Sequence, residues 1–290
     1  MKALQRGDKA AIVCCSNGQK EEYRERLEKL GDALKGVGLM PVFGECVYQR
    51  EGVFSGTGRE RAKSLMDFYR DQDIKVIFDI SGGDIANEIL PYLDYDEIAG
   101  QDKFFWGYSD LTTVINAIYT KTGRPSVLYQ VRNLIYEDAG KQICDFVHTV
   151  MEGQEDLFTF PYEFIQGKRM EGIVIGGNIR CLLKLSGTGF WPDMKGKILL
   201  LEAYSGEVPQ MVTYLSQLKQ LGVFDQVNGI LLGTFTGMEE GHCEPSMTEL
   251  IREYVKIEIP IAETRYIGHG VDSKGIIIGE KYVFCVEGSR

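Results

Sequence analysis

Three histidines serve the whole 290-residue chain, and none stands in an H-E-x-x-H pair. The seven cysteines are odd in number and show no C-x-x-C spacing. A zinc site therefore has no support in the sequence, and no metal is expected. The same pattern excludes a paired disulfide framework and fits reduced thiols in a cytoplasmic protein. Adjacent Cys14 and Cys15 should point to opposite faces of a strand and pack in the core. No run approaches the roughly 18 apolar residues that span a bilayer. The N-terminal stretch also lacks the apolar core and cleavage pattern of a secretory signal. No Lys/Arg cluster offsets the net charge of −10, so neither a nucleic-acid polymer nor a membrane is an expected partner. The G-x-x-x-x-G-K-[ST] and G-x-G-x-x-G fingerprints are missing, and no cofactor is expected. No internal repeat or low-complexity tract is present.

What is present is an alternation. Short apolar runs ("KAAIVCC", "MPVFGECV", "IKVIFDI", "FFWGYS") are separated by amphipathic helical stretches such as "KEEYRERLEKLGDALKGVG" and "RERAKSLMDFYRD". Strands without polar alternation imply a parallel sheet covered on both faces, with function gathered at the carboxyl ends of the strands. The alternation breaks in the polar segment 156–170. We therefore expect an α/β domain over 1–155, a connection over 156–170, and a smaller mixed β/α domain over 171–290. In the last of these, "GIVIGGN", "KILLLEAY", "VNGILLG", "IPIAET" and "GIIIGEKYVFCV" read as strands.

Two corners of the first domain could carry chemistry. In "FFWGYSDLTTVINAIYTKTG" a buried strand gives way to a helix at Ser109 and Asp110. Such a corner can lift a hydroxyl clear of the backbone, as in a nucleophile elbow, although the G-x-S-x-G spacing is absent. Ser and Asp also serve routinely as helix N-caps. The second corner, Ser81-Gly82-Gly83-Asp84, follows "IKVIFDI". It is either a tight turn or a loop whose N–H groups approach a ligand closely. Consecutive strands would bring both corners to one sheet edge.

A hydroxyl nucleophile needs a base. His148 falls on a helix face and His242 in a polar loop, whereas His269 lies between glycines in "YIGHGVDS", with room to be presented. A carboxylate to orient the imidazole has two candidates. Glu202 ends the apolar run "KILLLE", and Glu207 stands in the turn-like "SGEVP".

The order of these stretches resembles the LD-carboxypeptidase family of serine peptidases, which includes the microcin C self-immunity hydrolases. The stretches that carry it are "RGDKAAIV", "FSGTGRERAKSLMDFYRDQDIKVIFDISGGDIANEILPYLDYDEI", "FFWGYSDLTTVINAIYTKTG", "GGNIRCLLKLSGTGFWPDMKGKILLLE", "QLKQLGVFDQVNGILLGTFTG" and "IGHGVDSKGIIIGE", collinear over nearly the whole chain. The resemblance implies a flavodoxin-like N-terminal domain and a triad of Ser109, His269 and Glu202. It also implies an oxyanion hole from the N–H groups of Gly83 and Asp110, and a homodimer. The implied activity is release of terminal D-alanine from murein tetrapeptide in cell-wall recycling. The alternatives are hydrolysis of peptidyl or aminoacyl nucleotides and, in another class, a non-catalytic protein of the same fold that binds a small ligand. Three departures bear on the substrate. Asp84 follows the glycines where the family often has tyrosine. "SVLYQVRNL" replaces a Gly-Pro turn, and Ala203 follows Glu202 in place of an acid. Asp84 beside an oxyanion hole should point away or be paired.

Overall fold

The computed structural model describes residues 2–286. Two six-stranded sheets organise the chain. The first is built from β1 (Lys9–Val13), β2 (Met40–Phe43), β3 (Ile74–Asp79), β4 (Phe104–Gly107) and β5 (Ser126–Leu128), all parallel. The second contains β6 (Glu163–Gln166), β7 (Arg169–Asn178), β8 (Ile198–Ala203), β9 (Gly229–Phe235) and β10 (Ile261–Glu263). Two further strands, β11 (Ile276–Ile278) and β12 (Lys281–Cys285), complete one sheet each. The orders are β11-β5-β4-β3-β1-β2 and β12-β7-β8-β9-β10-β6.

The parallel strands follow from their composition. β1 is "KAAIV" and β3 "IKVIFD", apolar on both faces because helices cover both sides. The covering helices begin at clear signals. Helix Gly58–Arg70 opens on a capping box in which Thr57 and Glu60 satisfy each other's end groups. Cys14 and Cys15, as alternation requires, enter different buried clusters, and burial raises both thiols well above their ordinary range.

"IANEILPYL" forms a 3-10 segment over Ala86–Tyr92, tightened around Pro91, which cannot donate into a regular helix. The structure departs from the sequence expectations in two places. Residues 163–166, expected within the connection, form strand β6, antiparallel to β10. The run "GIIIGEKYVFCV" is divided between the sheets: β11 pairs antiparallel with β5, and β12 with β7.

The sheets share a core. One cluster of buried side chains runs from Ala11 and Val13 of β1 through Leu111 and Ile115 to Val174 of β7 and Leu200 of β8. Helix Thr112–Thr122 is the bridging element. Its buried Asn116 donates to Gly176 O at 2.9 Å and accepts from Gly176 N at 2.9 Å, pairing with β7 as a strand would. Thr112 Oγ1 accepts from Asn178 N at 3.0 Å, and Asn178 is the register partner of Glu202 in β8. The helix that starts beside Ser109 is thus fastened to the strand next to Glu202.

Candidate active site

Ser109 sits between β4 and the bridging helix with φ of +55°, one of two non-glycine residues described in the left-handed region. A β-carbon there is strained, and the surrounding structure must hold it. The capping reading of Ser109 does not survive. Neither the short 3-10 turn Ser109–Leu111 nor the helix after it has a side-chain cap bond, and Tyr108 and Leu111 occupy the cap positions.

His269 is held from both halves of the chain. Its ring is nearly buried, with Nδ1 at 2.9 Å from Glu202 Oε2. A carboxylate only accepts, so the proton of this bond lies on Nδ1. Nε2 is itself buried and has no hydrogen-bond partner among the described residues. The rings of Tyr204 and Tyr108 flank the imidazole at centroid distances of 4.9 and 5.4 Å. Ser109, Glu202 and His269 line one narrow pocket, and Ser109 and His269 also line the wider cleft of about 490 Å³ outside it.

Local irregularities aim these groups. At Glu202 the β8–β9 pairing shifts register, with Leu201 opposite Leu232 but Ala203 opposite Phe235. Such a bulge turns a side chain out of the regular pleat. Gly268, at φ +152°, runs so close to Thr234 that an added Cβ would lie 1.9 Å from its Oγ1, so the residue before the histidine must be glycine. The loop after His269 is tied to the first half through Gln142 Nε2 to Ser273 O at 3.0 Å and Lys274 to Asp145 at 2.5 Å.

The Ser81–Asp84 corner is braced from below and beside. Buried Asp79 accepts from Cys15 N at 2.7 Å, Ser81 N at 2.8 Å and Ser81 Oγ at 2.5 Å. Desolvation raises the Asp79 carboxyl above the usual range, and these bonds oppose the shift. Gly83 has φ +123°, and a Cβ on it would fall 2.2 Å from Asn17 Cγ. Asn17 in turn donates its N–H to Gly82 O and accepts from Asp84 N, both at 3.2 Å.

Both nearby carboxylates are engaged away from the corner. Asp84 pairs with Arg180 and lies 3.6 Å from Lys184. The buried carboxylate of Asp110 accepts from Ser16 Oγ at 2.6 Å, Ala86 N at 2.8 Å and Lys184 Nζ at 2.5 Å. Glu207 stands apart, exposed at the start of helix Val208–Gln220, where its N–H donates to Gln210 at 3.1 Å. His148 lies on helix Ala139–Val150, 3.2 Å from Asp156, and His242 in the turn after Glu240. Sequence reasoning missed Asn17, Lys184, Arg180 and Arg132. Only Arg132 left a signal, since it stands in the segment that replaces the Gly-Pro turn.

Two family models match the chain: the LD-carboxypeptidase N-terminal domain over residues 10–129 and the LD-carboxypeptidase C-terminal domain over 171–283. The chain belongs to the LD-carboxypeptidase family. A probable murein peptide carboxypeptidase of Bacillus subtilis is 28% identical, over 97% of this chain and 89% of that protein. The microcin C7 self-immunity protein MccF of Escherichia coli is 30% identical, over 68% of this chain and 66% of its own length. Among solved structures, an MccF-like protein from Bacillus anthracis is 25% identical and superposes with a TM-score of 0.85, covering 99% of this chain and 96% of the other. The two-sheet α/β architecture is therefore that of the LD-carboxypeptidases. Among the described residues, no helix is long and apolar enough to cross a membrane.

Proposed function

We propose that this LD-carboxypeptidase is a serine enzyme that cleaves an L,D amide and releases terminal D-alanine from murein tetrapeptide. The observation that carries the reading is the state of His269: Nδ1 bound to Glu202, Nε2 buried and unpartnered, in the pocket that Ser109 also lines. In this reading Ser109 Oγ attacks the scissile carbonyl carbon and its proton passes to His269 Nε2. The carbonyl oxygen gains the negative charge and is met by the N–H groups of Gly83 and Asp110. Collapse of the tetrahedral intermediate breaks the C–N bond, and His269 returns the proton to the departing amine. A water then repeats the sequence on the acyl-enzyme and frees Ser109. Glu202 keeps the imidazole in the required tautomer and stabilises its cationic form.

The 30% identity to the microcin immunity protein favours a second substrate for the same machinery, a peptidyl or aminoacyl nucleotide. Mass spectrometry of products from murein tetrapeptide and from an aminoacyl sulfamoyl adenosine, side by side, chooses between them. Ser109→Ala should abolish turnover of whichever is cleaved, with the folded state intact by circular dichroism. More than a few per cent residual turnover would remove Ser109 as nucleophile. A serine-reactive phosphonate should label wild type but not the variant; no labelling and no turnover would leave the non-catalytic ligand-binding reading. A reduced cytoplasmic setting and a homodimer complete the proposal, the latter tested by sedimentation equilibrium.

A further inference from the structure

The cleft outside Ser109 has a charge opposite to that of the chain. The protein carries 42 acidic and 32 basic side chains. Yet none of the described residues lining this cleft is Asp or Glu, and two of them, Lys20 and Arg132, are cations. Lys20 is neutralised by Glu22 at 3.3 Å. Arg132 has no acidic partner among the described residues. Its Nε donates to Gln130 Oε1 at 3.0 Å, one Nη to Gln19 Oε1 at 3.4 Å, and the other Nη to the Tyr108 hydroxyl. All three acceptors are neutral.

A guanidinium has five N–H donors in a rigid plane. The three bonds use one donor on each nitrogen, which leaves one on each Nη for the oxygens of an incoming anion. A partly buried cation held by neutral groups keeps its charge uncompensated until an anion arrives. Its position relative to the chemistry is fixed through Tyr108, the residue before Ser109, whose ring also packs against His269. In a substrate cleaved at its last amide, the terminal carboxylate lies one α-carbon beyond the scissile bond.

We propose that Arg132 is the specificity-determining residue that receives the terminal carboxylate of the residue being released. The assignment rests on the carboxypeptidase reading above. The segment "SVLYQVRNL", where the family often has a Gly-Pro turn, then supplies a charge and with it a requirement for a free C-terminus.

The test compares murein tetrapeptide with its C-terminal carboxamide, on wild type, Arg132→Gln and Arg132→Lys. Wild type should prefer the free acid by about 10²-fold in kcat/KM, since two charge-assisted bonds are at stake. Arg132→Gln should lose that preference by slowing the acid alone, and Arg132→Lys should recover part of it. Equal use of acid and amide by wild type overturns the proposal. So does an equal loss on both substrates in a folded Arg132→Gln, which would mean that the guanidinium only positions Tyr108. If Arg132→Gln fails to fold, the wild-type ratio and Arg132→Lys decide. Hydrolysis of neither peptide by wild type refutes the carboxypeptidase reading instead. Calorimetric binding of the two peptides to Ser109→Ala then decides Arg132: tighter binding of the acid supports it, and equal or absent binding overturns it.

Discussion

His269 and Glu202 meet at 2.9 Å across 67 residues of chain, one on a loop after β10 and the other at a bulge in β8. Both are nearly buried, so the pair is shielded from water and from salt. An exposed competitor such as Glu207 has no such contact.

Glu202→Gln should therefore lower kcat by about 10² to 10⁴ by analogy with other triad carboxylates. Glu207→Gln should change it by no more than a few-fold. Steady-state kinetics on the two variants decide, and a reversal of their effects would transfer the orienting role to Glu207.

Gly83→Ala places a methyl group 2.2 Å from Asn17 Cγ at a φ of +123°. The corner must shift, and a displaced N–H donor costs about 10² to 10³ in kcat. Pairing the change with Asn17→Gly removes the collision but not the backbone strain, so the double variant should recover part of the loss. Full activity in the single variant would show that the Gly83 N–H plays no part.

Asp79 gives a pH-dependent outcome. Burial raises its folded-state value above that of the unfolded chain, so the native protein holds this proton more tightly. The stability contributed by the group is complete below the ordinary carboxylate value and is lost as pH rises through the raised one. Asn at this position does not titrate. Urea unfolding of wild type and Asp79→Asn over a pH series should show the stability difference narrowing across that window. A difference that stays flat or widens would contradict the direction of the shift.

The parallel strands were legible because burial on both faces writes itself as a continuous apolar run, as in "IKVIFD". Glu202 was legible as a charge ending such a run, and Gly83 as a glycine where a backbone approach is needed. The fate of "GIIIGEKYVFCV" was not. Its apolar runs around Gly279 and Glu280 read the same whether they form a hairpin or part company, and only the positions of β5 and β7 decide. Arg132 left only the departure of its segment as a signal, and its role was hidden for a related reason. Its meaning comes from Gln19, 113 residues away, and from the absence of acids around it. The strain at Ser109 likewise belongs to the folded backbone, while the sequence offers only a serine at a corner where capping is the ordinary use.

Strand β11 closes the edge of the first sheet with residues 276–278, which follow all ten earlier strands in chain order. The first sheet therefore waits for its sixth strand until the whole of the second sheet's parallel framework has been made. The same late segment brings His269 with it, a few residues upstream. An emerging N-terminal half would expose the open edge of β5 and carry Ser109 without His269, which on the mechanism proposed above is a nucleophile without its base. On that mechanism completion of the fold and onset of activity become a single event, and separately expressed halves would each be left with an unfinished sheet or an unanchored histidine loop.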